Sequence, residues 1–183
     1  MPETIKVGIL LPVYKGDTLA FLECAINSLL NQTYSNISIF IGIDGPVGEN
    51  LLTRINEFSA KSDVRIVRFE KNRGLAAVLN DLLDICLKEK IDYIARMDAD
   101  DISVGNRIQK QLDFLLSHPE VDVVGGRIEE INEQSKRNGK TITYPLTHQE
   151  CFKFFRYRDP LAHPAVMLSL IHISEPTRPL YIS

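Results

Sequence analysis

The sequence predicts an α/β fold, a Rossmann-type, mostly parallel open sheet with helices on both faces. Two observations predict it. Apolar runs of strand length alternate with amphipathic stretches of helix length along most of the chain. The polar signals Tyr14, Asp44, Asn72 and Asp98 to Asp101 each follow a strand-like run, which is where open α/β sheets bind their ligands.

The elements follow in order. Val7 to Val13 is a short apolar run that suits a buried strand. Asp17 is placed to cap a helix with Leu22, Ala25, Ile26, Leu29 and Leu30 on one face. Ile37, Ile39, Ile41 and Ile43 alternate with period two and mark a second strand, stopped by the turn signal Asp44-Gly45-Pro46. Leu51, Leu52, Ile55 and Phe58 give a second helix, and Val64 to Phe69 a third strand. Asn72-Arg73-Gly74 opens a third helix whose Leu75, Val78, Leu79, Leu82, Leu83 and Cys86 face the core. Tyr93 to Met97 is a fourth strand, closed by Asp98-Ala99-Asp100-Asp101. Ile108, Leu112, Leu115 and Leu116 mark a fourth helix, and Val121 to Val124 a fifth strand. Beyond Gly126 the pattern loosens. Ile142 to Tyr144 reads as a short strand, and Phe152, Phe154 and Phe155 as core residues of a short helix.

The chain has 183 residues, enough for one domain with a sizeable core. A hydrophobic fraction of 44% and a charged fraction of 25% are ordinary for a globular protein. A net charge of -3 argues against a nucleic-acid binder. No apolar run approaches the roughly 20 residues of a membrane helix, and the amino terminus lacks the pattern of a secretory signal. Cys24, Cys86 and Cys151 fit no zinc or disulfide spacing, and Cys24 and Cys86 read as small buried hydrophobes. These features make a cytoplasmic setting the default.

The segment from Leu168 to Arg178 fits no expected element and resembles a reading-frame translation of the transposon-end adaptor used to prepare sequencing libraries. On that reading residues 1–167 form the domain and 168–183 a non-native tail, poorly packed, in which His172 and Glu175 carry no function. An ordinary Pro-containing tail is the alternative.

Asp98-Ala99-Asp100-Asp101 is the sharpest chemical feature. Crowded carboxylates repel one another unless a cation compensates, and a hard divalent ion with oxygen ligands does so. The same ion bridges the phosphates of a nucleotide diphosphate and neutralises charge as the diphosphate leaves. A solvated acidic turn is the plainer reading; the position directly after an apolar strand favours the metal. Asp44 is placed to accept a hydrogen bond from a base-ring N–H, or simply to form a turn beside Gly45. Tyr14 is placed to stack on a base, or to pack in a loop. Arg73, at a helix amino end, can add charge beside a diphosphate, with Asn72 as a plain cap otherwise. His163 reads as structural rather than as a residue meeting acceptor or metal, and Arg107 as a surface or ion-pair residue.

As an ordered set these segments resemble the family 2 glycosyltransferases of the GT-A fold. Leu10-Leu11-Pro12-Val13-Tyr14 is similar to the family's first-strand motif, Ile43-Asp44-Gly45 to its base-binding acid, and Asn72-Arg73-Gly74-Leu75-Ala76-Ala77 to its helix-opening motif. Arg96-Met97-Asp98-Ala99-Asp100-Asp101-Ile102 is similar to its metal motif; Asp122 to Gly126 and Ala162 to Met167 also match. The resemblance covers about residues 5–167. It implies that Pro12, Val13, Tyr14 and Asp44 hold the base, that Asn72 and Arg73 lie near base or ribose-phosphate, that Asp98 faces ribose or metal, and that Asp100 ligates Mg²⁺ or Mn²⁺. It implies a nucleotide-sugar donor, usually a UDP-sugar, a glycan or lipid-linked acceptor, inversion at the anomeric carbon, and work in surface polysaccharide or lipopolysaccharide assembly at the inner face of the membrane. It also implies a general base on an acidic motif after the His-Pro segment; no such motif follows, so no catalytic base is named. A nucleotide-binding fragment without turnover is the first alternative. A sugar-nucleotide pyrophosphorylase is the second, weakened because only Lys15-Gly16 stands where its Gly-rich basic loop belongs.

Overall fold

The computed structural model describes residues 5–60 and 63–171. The chain runs β1 (Val7–Tyr14), α1 (Leu19–Leu30), β2 (Ile37–Asp44), α2 (Glu49–Ser59), β3 (Val64–Phe69), α3 (Leu75–Lys88), β4 (Tyr93–Arg96), α4 (Arg107–Ser117), β5 (Val123–Val124), β6 (Ile128–Ile131), β7 (Arg137–Ile142), α5 (His148–Phe154), a single 3-10 turn (His163–Ala165) and β8 (Met167–Ser169). Six strands form one sheet in the order β3-β2-β1-β4-β8-β5. The first four are mutually parallel, and β8 runs antiparallel to both β4 and β5. The expected mostly parallel α/β sheet is therefore the fold.

Both faces are covered because both sets of alternating strand residues are apolar. Val7, Ile9, Leu11 and Val13 of β1 and Ile39, Ile41 and Ile43 of β2 pack with the buried faces of α1, α2 and α4. Leu10 and Phe40 point the other way, against Val78, Leu79, Leu82, Leu83 and Cys86 of α3. Helix α3 lies so close to β2 that a Cβ on Gly42 would come within 2.5 Å of Val78 Cγ1.

Several details differ from the sequence reading. Thr18, not Asp17, caps α1, its hydroxyl accepting the Phe21 N–H. Asp17 instead accepts the Tyr14 N–H at 2.8 Å and closes the turn after β1. Leu30, Leu75 and Leu116 are exposed, since each sits at the margin of a helical stripe whose centre already fills the interface. Cys24 is exposed, one position off the buried stripe of α1, whereas Cys86 is buried with its thiol pushed up to about 12 by desolvation. The fifth strand is shorter than expected. In place of a strand at Ile142 to Tyr144, β7 ends at Ile142 and pairs with β6 in a separate hairpin. Phe152 and Phe155 are 65% and 70% exposed, and α5 buries no residue; seven residues are too few to turn an apolar stripe onto the sheet. Residues 168–170, expected to fit no element, complete β8 and its flank. Met167 to Ser169 pair with Tyr93 to Ala95, and Leu170 is buried against the α3-side core. The physical reason is that Leu168-Ser169-Leu170 places apolar groups with strand periodicity beside the otherwise unpaired side of β4. The expected domain boundary at Met167 falls inside that strand, and residues 172–183, His172 and Glu175 among them, lie outside the described residues. No described helix is long and apolar enough to cross a membrane.

Candidate functional site

From β1 the chain steps outward to β2 and β3, then returns to β4 on the opposite side of β1. Strand order reverses there, and a cleft opens beyond the carboxyl ends of the strands, as it does in open α/β sheets generally. It measures about 850 Å³, within the range of small-molecule sites. Pro12, Val13, Tyr14, Asp44, Asn72, Asp98 and Asp100 all line it. Tyr14 and Asp44 are register partners at the ends of β1 and β2, and Tyr14 is half exposed, its ring lying so closely over Gly16 that a Cβ there would collide with it.

Asp44 is 5% exposed. Its Oδ1 accepts the Arg73 N–H at 2.7 Å and its Oδ2 accepts the Gly74 N–H at 2.9 Å. A buried carboxylate is tolerable when such bonds satisfy it, and the amino end of α3 adds favourable field. Asn72 donates its side-chain N–H to the Asp44 carbonyl at 3.3 Å, so it bridges to β2 and does not cap the helix. Gly45 makes the turn possible: its φ is +82°, and a Cβ there would lie 2.7 Å from the Asn72 nitrogen. Arg73 departs from expectation. Its guanidinium pairs with Asp81 at 2.6 Å and lies over the Phe69 ring at 4.8 Å, so it does not line the cleft. The Asp81 carboxylate, about two turns further along, and the ring at the end of β3 hold it there.

The acidic segment forms the opposite wall. Arg96, 6% exposed, donates through Nε and Nη2 to Asp98 Oδ1 at 3.3 and 3.2 Å. Asp101 is pushed up to about 6, first by burial and then by the charges of Asp100 and Asp98, against the pull of Arg107 and Arg96. Arg107 is not a surface residue. It donates to the Arg96 carbonyl at 2.8 Å and the Val166 carbonyl at 3.1 Å, tying β4 to the segment before β8. Burial lowers it to about 10, with Asp101 and Asp98 pulling back. His163 contacts Arg96 and Asp159 through its two ring nitrogens, leaving neither for a metal.

A model of the family described as glycosyl transferase family 2 matches residues 9–169. The chain belongs to glycosyl transferase family 2. It is 33% identical over 160 residues to the amylovoran biosynthesis glycosyltransferase AmsE of Erwinia amylovora, covering 87% of this chain and 58% of that protein. It is 30% identical over 164 residues to the Escherichia coli UDP-Gal:alpha-D-GlcNAc-diphosphoundecaprenol beta-1,3-galactosyltransferase, covering 90% and 58%. It therefore spans under two thirds of the length of either relative. A mannosyltransferase from Pyrobaculum calidifontis, solved with GDP-Man and Mn²⁺, shares the fold with a TM-score of 0.63 at 12% identity, over 94% of this chain and 48% of that one.

Within this family 2 domain the donor set suits a hard cation of a particular kind. Among the described residues no three acidic, His or Cys side chains gather into a cage. Mg²⁺-type sites seldom need one: they use one or two carboxylates together with substrate phosphates. Asp98 and Asp100, both on the cleft wall, supply that pair of hard oxygen donors. The sequence reading missed Asp17, which also lines the cleft; burial and the charges of Asp100 and Asp98 raise it, outweighing its bond from the Tyr14 N–H. It also missed Lys15, Pro46, Leu75 and Val78, which line the cleft together with Gly74 and Ala99. The available signal for Leu75 was its place directly after Gly74, at the helix opening that follows the third strand.

Proposed function

We propose that this domain binds the donor of an inverting, metal-dependent glycosyltransferase that moves a sugar from a UDP-sugar to a hydroxyl of a glycan or lipid-linked acceptor in surface polysaccharide assembly. One observation carries the reading: the half-exposed Tyr14, the Asp44 carboxylate and the Asp98–Asp100 pair share a single cleft at the strand-order reversal. Tyr14 would stack on the base. Asp44 keeps a lone pair on each oxygen beyond the backbone N–H it accepts, and can take a base N–H. Asp98 and Asp100 would hold Mg²⁺ or Mn²⁺; when bound, that ion supplies charge neutralisation on the diphosphate leaving group. The base that deprotonates the acceptor hydroxyl is placed, as the family resemblance implies, on sequence after the His-Pro segment. A cytoplasmic setting at the inner face of the membrane goes with this reading, as the family resemblance implies.

Calorimetric titration with UDP, with Mn²⁺ and with chelator, tests the donor reading. Tighter binding in Mn²⁺ is expected; equal affinity in both removes the metal role, and absence of UDP binding removes the assignment. A donor-hydrolysis assay on the same sample separates a turning-over enzyme from a nucleotide-binding domain without turnover.

A further inference from the structure

Arg96 is a buried cation whose three donor nitrogens face two groups. Nε and Nη2 hold Asp98, and Nη1 lies 2.6 Å from His163 Nδ1. A guanidinium offers donors only, so Nδ1 must accept. The ring proton then sits on Nε2, which faces the Asp159 carboxylate. Asp159, His163, Arg96 and Asp98 thus form one hydrogen-bonded chain, running from an exposed loop to the wall of the nucleotide cleft. Its first three members also line a second cavity of about 160 Å³, whose other walls are apolar, among them Leu10, Leu79, Ile94 and Leu168.

We propose that Asp159 and His163 are positioning residues: Asp159 fixes the ring tautomer of His163, His163 fixes the rotamer of Arg96, and Arg96 presents Asp98 to the cation and diphosphate of the donor. The inference rests on the reading of Asp98 as a donor-site carboxylate. The chemistry runs in one direction. With the Nε2–H tautomer secured, Nδ1 offers a lone pair where Arg96 needs an acceptor. Without Asp159 the ring is free to take the other tautomer, whose Nδ1–H opposes the guanidinium. Arg96 then turns its unsatisfied donors elsewhere, and Asp98 loses a fixed orientation. Outer-shell partners of this kind typically contribute about 10–100-fold to metal affinity.

The test uses the whole chain and two readouts. Long-range ¹H–¹⁵N spectra of the histidine rings report the tautomer without any ligand. His163 is expected as the Nε2–H form in the native protein and as a mixture in Asp159→Ala, which removes the acceptor facing Nε2. Calorimetry with UDP and Mn²⁺ is expected to show about a 10-fold loss for His163→Phe and for Asp159→Ala. His163→Asn keeps an acceptor toward Arg96 and is expected to restore most of the affinity. Thermal melting of each variant reads the fold separately. An Nδ1–H tautomer in the native protein overturns the relay, whatever the protein binds. Native affinity in folded His163→Phe or Asp159→Ala overturns it while leaving the donor assignment standing. A native protein that fails to bind UDP removes the donor assignment and, with it, the role given to Asp98.

Discussion

The Gly74 amide donates to the Asp44 carboxylate at 2.9 Å, and with the neighbouring Arg73 amide it locks the end of β2 to the first turn of α3. The lock sets one wall of the cleft. It also explains why a buried acid can stand at this strand end: each oxygen has a backbone partner, and the helix amino end favours the charge.

Asp44→Asn is therefore expected to destabilise the domain. An amide offers one acceptor oxygen, so one of the two backbone N–H groups is left facing an NH₂ group. Leaving a buried donor unsatisfied costs about 1–3 kcal/mol. Urea denaturation should show this as a lower midpoint at an unchanged slope, and UDP affinity should fall in the same variant. A native midpoint would show that water replaces the lost acceptor.

Gly45→Ala is expected to disturb the same wall through the backbone. A left-handed conformation costs a non-glycine residue about 1–2 kcal/mol, and the new methyl group would press on the Asn72 nitrogen 2.7 Å away. Gly48→Ala is the control, since nothing lies within 4 Å of its Cβ position and its φ is -61°. Equal melting temperatures for the two variants would contradict this account of the turn.

The strands and the cleft were legible because they depend on local pattern. Period-two alternation marks β2, and polar residues after strands mark the cleft wall. What stayed hidden depends on long-range partners. Arg73 reads the same in sequence whether it faces a diphosphate or turns to Asp81, eight residues on. Arg107 looks like a surface cation until β8 brings the Val166 carbonyl to it. The contact between Arg96 and His163 joins positions 67 apart. The aromatic residues of α5 misled in the opposite sense: apolar type suggests burial, but a seven-residue helix beside a hairpin reaches no core.

Asp101→Asn is expected to stabilise the metal-free protein near neutral pH. The folded-state pKa of about 6 lies above the ordinary value of 3.8, so the folded protein holds the proton more tightly than the unfolded chain does. That contribution is complete below about pH 4 and is lost as pH rises through about 6. The groups facing the carboxyl are Asp98 and Asp100, which oppose ionisation, and Arg96 and Arg107, which favour it. Asparagine stays neutral at every pH and keeps the contribution. Melting curves in chelator should place the variant above the native protein at pH 7–8 and level with it below pH 4. A gap that widens on acidification would reverse the sign.

Asp100→Ala separates a metal ligand from a structural acid better than any change at Asp98. Asp98 holds the buried Arg96, so its removal strands a cation and damages the fold together with any ligand. Asp100 is exposed at the cleft wall, and its loss should leave the melting temperature close to native. If Asp100 ligates the ion that bridges the donor phosphates, UDP affinity in Mn²⁺ should fall by at least the roughly 10-fold that a lost outer-shell partner costs. In chelator the variant and the native protein should bind UDP alike, because the ligand role is then idle. Removing one of several crowded carboxylates even favours an anionic nucleotide slightly in that condition, so a matching loss in chelator cannot come from charge. Such a loss would assign Asp100 to the shape of the cleft, and native affinity in Mn²⁺ would leave the cation to Asp98 with other donors.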